Sequence, residues 1–261
     1  MNFPFSAPRL ALVRSVPDTF CESLRETPLP INISKARTQH DGYVQALHNA
    51  GLNVIRLSAT HHLPDSCFIE DPIVVVEDRA LITRSAVATR QPERPQIAKS
   101  IQRWCQVTRM THGTLDGGDV LRIGPRVYIG CSQRTNSEGI AEIKRFAAVA
   151  GLSIHTIPLQ HGLHLKSLVT VISANEIVID PRLDPNVFED VTPIVALEPT
   201  GANVLALGNH ILVSSAATQT GLRLEQHGFN ISLVDVSEFH KADGALTCLS
   251  VRLPHPNTWC A

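Results

Sequence analysis

Cysteine is sparse and unpatterned in this chain. The six thiols, Cys21, Cys67, Cys105, Cys131, Cys248 and Cys260, show no CxxC spacing and no dense framework. Across 261 residues such scattering excludes a disulfide-stapled scaffold and reads as reduced thiols. No apolar run approaches the length needed to cross a bilayer. The opening segment, Met1 to Arg9, lacks the long apolar core of a secretion signal, so a cytoplasmic protein is expected. Blocks of one charge are missing too: 23 basic residues face 24 acidic ones, for a net charge of −1. Neither a nucleic acid nor a membrane has compositional support as a partner. No HxxxH-like ligand spacing occurs, and neither a metal nor a cofactor is expected. No linker or low-complexity stretch divides the chain. One domain is therefore expected over residues 9–253, with loosely ordered ends at 1–8 and 254–261. What is present is an ordinary globular makeup, 43% hydrophobic and 18% charged, with ample core.

One stretch stands out, Thr114-Leu115-Asp116-Gly117-Gly118-Asp119-Val120-Leu121. Two acids three residues apart bracket a glycine pair, and an apolar run follows. Glycines admit backbone angles that other residues avoid, so the pair is expected to turn the chain sharply into a strand. Asp116 then sits at a strand mouth, and Asp119 is expected to bond local backbone amides. Alone, the stretch reads as a well-made turn before a strand.

The apolar runs after residue 70 come in pairs. Residues 73–76 and 80–83, 120–123 and 127–130, 168–172 and 177–179, and 204–207 and 211–214 each read as a hairpin with turn residues between. A fifth run, 246–251, has no second strand after it, because Pro254 and Pro256 follow. The segment 9–14 could supply that partner and close a ring. Helix-like segments lie between hairpins: 34–50 with a capping serine, 92–105, 136–150 and 215–227. A short strand follows each. Hairpin starts at Val74, Val120, Val169, Val204 and Leu249 are 46, 49, 35 and 45 residues apart. Such a period signals a propeller. An α/β fold of five ββαβ units in a closed ring is expected, against an ordinary mixed sheet.

Candidate chemical groups recur at similar places in these units. Asp65, Glu70 and Asp71 precede the first hairpin, Asp116 the second and His164 the third, while Cys248 lies in the last run. Singly, each has a plain explanation. Cys248 in an apolar strand reads as a buried thiol, His164 as a half-buried histidine, Glu70 and Asp71 as loop charges beside Pro72, and Arg134 as a solvated cation.

Together they form a set. Residues 64–71 (PDSCFIED), 114–119 (TLDGGD), 133–136 (QRTN), 163–166 (LHLK) and 243–248 (DGALTC) resemble the dimethylarginine dimethylaminohydrolases of the guanidine-modifying superfamily, from about Val13 to Leu253. The resemblance implies a five-bladed α/β propeller and a cysteine hydrolase that converts dimethylarginine to citrulline. It implies Cys248 as nucleophile, His164 as acid and base, and Asp116 as the carboxylate supporting both histidine and substrate. Asp116 and Asp71 would accept the guanidinium. Glu70 and Asp65 would hold the site and the α-amino group, and Arg90 and Arg134 the α-carboxylate. Arg84 lies close to Arg90 on the same segment. A lid over residues 16–33 would bring Leu24 to the substrate, and Ala242 would give a backbone contact. The implied partner is a small guanidino amino acid, and a homodimer is left open. Arginine deiminase-like chemistry is one alternative. A non-catalytic propeller binding protein is another, and zinc ligation by Cys248, His164 and Asp116 a third.

Overall fold

The computed structural model describes residues 10–253, so the two chain ends given as loosely ordered lie outside the described residues, as does Cys260. The chain starts with β1 (Leu10–Arg14), followed by α1 (Ile33–Asn49) and β2 (Asn53–Leu57). Unit one holds β3 (Ile73–Val76), β4 (Arg79–Ile82), α2 (Glu93–Ile101) and β5 (Gln106–Arg109). Unit two holds β6 (Val120–Ile123), β7 (Arg126–Cys131), α3 (Ser137–Ala148) and β8 (Ser153–Pro158). Unit three holds β9 (Val169–Val171), β10 (Glu176–Ile179) and β11 (Thr192–Val195). Unit four holds β12 (Leu205–Leu207), β13 (His210–Ser214), α4 (Thr218–Gln226) and β14 (Asn230–Val234). A short α5 (Ser237–His240) leads to β15 (Val251–Leu253).

Among the described residues these strands form five three-stranded sheets, each an antiparallel pair extended by a parallel third strand. Unit five is completed from both ends of the chain. Leu10 pairs with Leu253 and Leu12 with Val251, and β2 adds in parallel on the other side of β1. The ring is the five-bladed α/β propeller expected from the repeat. Its core is five wedges between neighbouring blades. Side chains alternate across a strand, so Leu10 and Leu12 enter the wedge with unit one while Ala11 and Val13 enter the wedge with unit four. Each large side chain so buried contributes about 1.5–3 kcal/mol. The axis itself is hollow, a cavity of about 260 Å3 lined in part by Val75, Arg122, Val171, Ala206 and Arg252 from the five inner strands.

Three local expectations are corrected. The cap of α1 is Asn32, whose side chain accepts from the Lys35 amide, and Ser34 lies inside the helix. Unit three has no α-helix: a 3-10 turn at Pro185–Val187 replaces it, which accounts for the short 35-residue spacing. The strand β11 went unread because Pro193 breaks the pattern. It pairs on one side only, with β10, where a residue without an N–H is tolerated. No helix among the described residues is long and apolar enough to cross a membrane, and the five described cysteines are free.

Candidate active site

Polar residues gather where each inner strand begins. Asp71 lies just before β3, Asp116 before a 3-10 turn (Gly117–Asp119) that runs into β6, and His164 before a turn (Leu165–Ser167) that leads to β9. Cys248 sits in a 3-10 turn (Thr247–Leu249) ahead of β15, and not in a strand as the apolar run suggested. The glycine pair has a different purpose from the one read in the sequence. Neither Gly117 nor Gly118 has a positive φ. A Cβ on Gly117 would meet the Glu70 carbonyl oxygen at 2.2 Å, and one on Gly118 would meet His164 Nδ1 at 2.7 Å. Close approach of neighbouring units, not an unusual backbone angle, demands glycine here.

The two acids of that stretch have separate tasks. Asp119 bonds no local amide. It reaches across to unit three, where its Oδ1 accepts from the Leu165 amide at 3.0 Å, and its Oδ2 accepts from Ser132 and Thr135 hydroxyls. It thereby fixes the residue beside His164. Asp116 Oδ2 lies 3.2 Å from His164 Nε2, and Asp71 Oδ1 lies 3.8 Å from His164 Nδ1. Asp71 Oδ1 and Asp116 Oδ1 are buried without a hydrogen-bond partner. Buried acceptors are rarely left so.

Charge in this pocket sets the protonation states. Burial pushes the His164 imidazole down, but Asp71, Asp116 and Asp119 together outweigh it and raise it to about 9. His164 is thus an imidazolium at neutral pH. Burial, with the Asp71 and Glu70 carboxylates, pushes the Cys248 thiol up to about 12. At neutral pH Cys248 is a neutral thiol. Against the effect of burial, His164 and Arg90 hold the Asp71 carboxyl below its usual range.

The remaining sequence-predicted residues divide. Arg134 is half-exposed and its guanidinium has no hydrogen-bond or ion-pair partner among the described residues; only its backbone amide is bonded, to Ser132. Asp65 accepts from the Leu24 amide at 3.1 Å, and burial raises its carboxyl to about 6. That bond brings the lid segment down onto the site. Phe20 packs on Phe68 and Phe239, and the Glu26 amide donates to Asp243 at 2.6 Å. Ala242 is buried beside Asp243. Two placements differ from expectation. Arg90 is buried and occupied: it donates to Asp71 Oδ2 at 2.5 Å, to both oxygens of Glu93, and to the Asp65 and Phe68 carbonyls. Such a guanidinium positions Asp71 and is not free to clamp a carboxylate. Arg84, its neighbour in sequence, donates to the Gly113 carbonyl. Glu70 lines the axial cavity and pairs with Lys166 at 2.7 Å, so one of its oxygens is occupied by a cation of the protein.

The zinc reading fares differently from its statement. The group of possible metal ligands among the described residues is Asp71, Asp116 and His164, with ligand atoms within 4.8 Å of one another, and Cys248 is not a member. Sequence reasoning also missed Asn203, which stands two residues before β12. Its signal was available, since a polar residue precedes the inner strand of every other unit.

Comparison with known proteins adds to this geometry. The model of the eukaryotic N,N-dimethylarginine dimethylhydrolase family matches residues 13–183. The N(G),N(G)-dimethylarginine dimethylaminohydrolase of Streptomyces coelicolor is 37% identical, over 84% of this chain and 86% of that one. A cysteine-to-serine variant of the Pseudomonas aeruginosa enzyme complexed with citrulline superposes with a TM-score of 0.91 at 27% identity, covering 95% of this chain and 100% of that one. A histidine-to-glycine variant of a dimethylarginine dimethylaminohydrolase, as an adduct with S-methyl-L-thiocitrulline, gives the same score at the same identity, covering 94% and 100%.

Proposed function

Since the chain belongs to the dimethylarginine dimethylaminohydrolase family, we propose that it hydrolyses dimethylarginine, and N-methylarginine, to citrulline and the methylamine. The observation that carries this reading is the pair of partnerless oxygens, Asp71 Oδ1 and Asp116 Oδ1, beside His164. A guanidinium offers N–H groups in a planar fork that suits two such acceptors. We take residues 9–253 as one catalytic domain, because β1 and β15 complete a single sheet, and place it in the cytoplasm, where its cysteines stay reduced.

The chemistry follows from the protonation states. The substrate's cation enters between the two carboxylates and lowers the cost of ionising Cys248, whose proton is released to solvent as the thiolate forms, His164 being already protonated. The thiolate sulphur attacks the guanidinium carbon, giving a tetrahedral adduct on Cys248. The His164 imidazolium hands its proton to the departing dimethylamine, whose C–N bond breaks. A thiouronium on Cys248 remains. The neutral His164 then takes one proton from water as the oxygen attacks the same carbon. The C–S bond breaks with the sulphur leaving as thiolate, and the adduct's hydroxyl proton passes to that thiolate as citrulline departs, which restores the thiol and the imidazolium. Arg134, unpaired among the described residues, would hold the α-carboxylate, and Asp65 with the Leu24 segment the α-amino end. Incubation with asymmetric dimethylarginine, N-methylarginine and arginine, assayed for citrulline, tests this. Product from the methylated substrates supports the reading. Turnover of arginine alone would replace it with deiminase chemistry.

A further inference from the structure

None of the sequence-predicted site residues lies in unit four, yet that unit reaches both catalytic segments through one side chain. Asn203 is 5% exposed. Its Nδ2 donates to the Lys166 carbonyl at 2.8 Å and to Thr247 Oγ1 at 3.0 Å, while its Oδ1 accepts from the Thr247 amide at 3.1 Å. Lys166 belongs to the turn that His164 opens, and Thr247 immediately precedes Cys248. We propose that Asn203 is a positioning residue that sets the nucleophile against the acid, and this rests on the hydrolase reading above.

Cys248 is carried by a short helical turn. The first amides of a helical turn have no partner within it. No side chain of its own neighbourhood caps this one. Asn203 supplies the missing acceptor from another blade, and the Glu70 amide, from unit one, donates to the Cys248 carbonyl at 3.2 Å. The turn is thus gripped at each end by a different unit. With its other hydrogens Asn203 holds the His164 turn, which Lys166 also ties to Glu70 and to the Gly117 carbonyl. A belt beneath the mouth links all five blades, and Asn203 is its fourth member.

The partners also fix which residue can serve. A backbone amide must donate and a backbone carbonyl must accept, so the side chain needs one acceptor and one donor in a planar head. Asparagine has both. An aspartate of the same shape keeps the Thr247 amide bond but turns a carboxylate oxygen toward the Lys166 carbonyl, acceptor against acceptor. Small misplacements of reacting groups are costly, roughly 100-fold for about 1 Å.

The test compares Asn203→Asp, Asn203→Ala and Thr247→Val in two readouts, each normalised to folded protein by circular dichroism. The first is kcat and KM for citrulline formation. The second is the pH midpoint for iodoacetamide alkylation of Cys248, followed by mass spectrometry of its peptide. Asn203→Asp and Asn203→Ala should lower kcat by roughly 10-fold to 100-fold, with KM within about threefold, and should shift the alkylation midpoint. Thr247→Val, which removes one of the three bonds, should do so by less and keeps the idea testable if the Asn203 variants do not fold. Wild-type turnover with kcat and midpoint unmoved in all three variants overturns the positioning role. A wild type that forms no citrulline while the midpoint still shifts in the variants would sink the substrate reading and leave Asn203 in place.

Discussion

Beneath the site, Asp119 fills both carboxylate oxygens with Leu165, Ser132 and Thr135, and Arg90 divides its guanidinium between Asp71 and Glu93. Three residues before Asp119, Asp116 gives Oδ2 to His164 and leaves Oδ1 without a hydrogen bond, while Asp71 gives Oδ2 to Arg90 and leaves Oδ1 without one, 3.8 Å from His164 Nδ1. Asp119 and Arg90, the floor, differ in satisfaction from Asp116 and Asp71, the mouth, at similar depth, although Glu70 on the axial cavity also leaves its Oε2 without a hydrogen bond. An unpaired buried acceptor costs about 1–3 kcal/mol. Such a cost persists where the surroundings over-determine the group and the strain has a use. The comparison separates two kinds of buried charge by a criterion that burial alone does not provide. Floor groups should govern stability, and mouth groups should govern turnover as well.

The sharpest break falls on the nucleophile. Cys248→Ser should abolish measurable citrulline formation while leaving the melting temperature near that of the wild type, since an alcohol cannot replace a thiolate. Activity above a few per cent would remove Cys248 from the mechanism. Next, His164→Gly should cut kcat by roughly 10²–10⁴-fold, the scale of lost proton transfer. Chemical denaturation of that variant tests the mouth from the other side, because losing the imidazolium leaves Asp71 and Asp116 without the cation between them and should lower stability at neutral pH.

On the floor, the loss should fall on stability. Asp119→Ala strands the Leu165 amide and two hydroxyls, and should cost about 3 kcal/mol of stability in urea unfolding. If it loses turnover without losing stability, the division between floor and mouth is wrong. Alkaline pH gives a gradual version of the same test. The His164 imidazole is raised from 6.5 to about 9, so the folded state holds that proton more tightly than the unfolded chain. Its contribution, roughly 3 kcal/mol, is complete below pH 6.5 and is lost as pH rises through 9. Unfolding midpoints measured between pH 6 and 10 should fall in the wild type and stay flatter in His164→Gly. The smallest effect belongs to the outer arm. Arg134→Ala should raise KM by roughly 10-fold to 100-fold with kcat little changed, because the carboxylate contact is equal in ground and transition states. Agmatine, which lacks that carboxylate, should be a poor substrate of the wild type.

The ring was legible because the inner strands each lie between two wedges and therefore show as short, mainly apolar runs, with turn residues after most of them. Unit three hid its last strand for a local reason, Pro193, and its missing helix left a short spacing as the only trace. Of the site, Asp116, His164 and Asp71 could be read together because each stands at the start of an inner strand, and the structure brings them within 4.8 Å. The role of Arg90 could not be read. Whether a guanidinium is free or occupied depends on Glu93 and Asp71 folding onto it, and spacing along the chain does not encode that. Asn203 was hidden by its lack of charge, although the repeat placed it.

The sheet of unit five joins Leu10 to Leu253, partners separated by nearly the whole described chain. Contacts of such long sequence separation form late, because the loop between them must first be ordered. A polypeptide growing on the ribosome holds both carboxylates and the histidine well before its nucleophile is made. Cys248 and β15, the strand that pairs with β1, are the last of these to be made. The thiol and its imidazolium therefore share one chain only once the segments of the other four blades have been made.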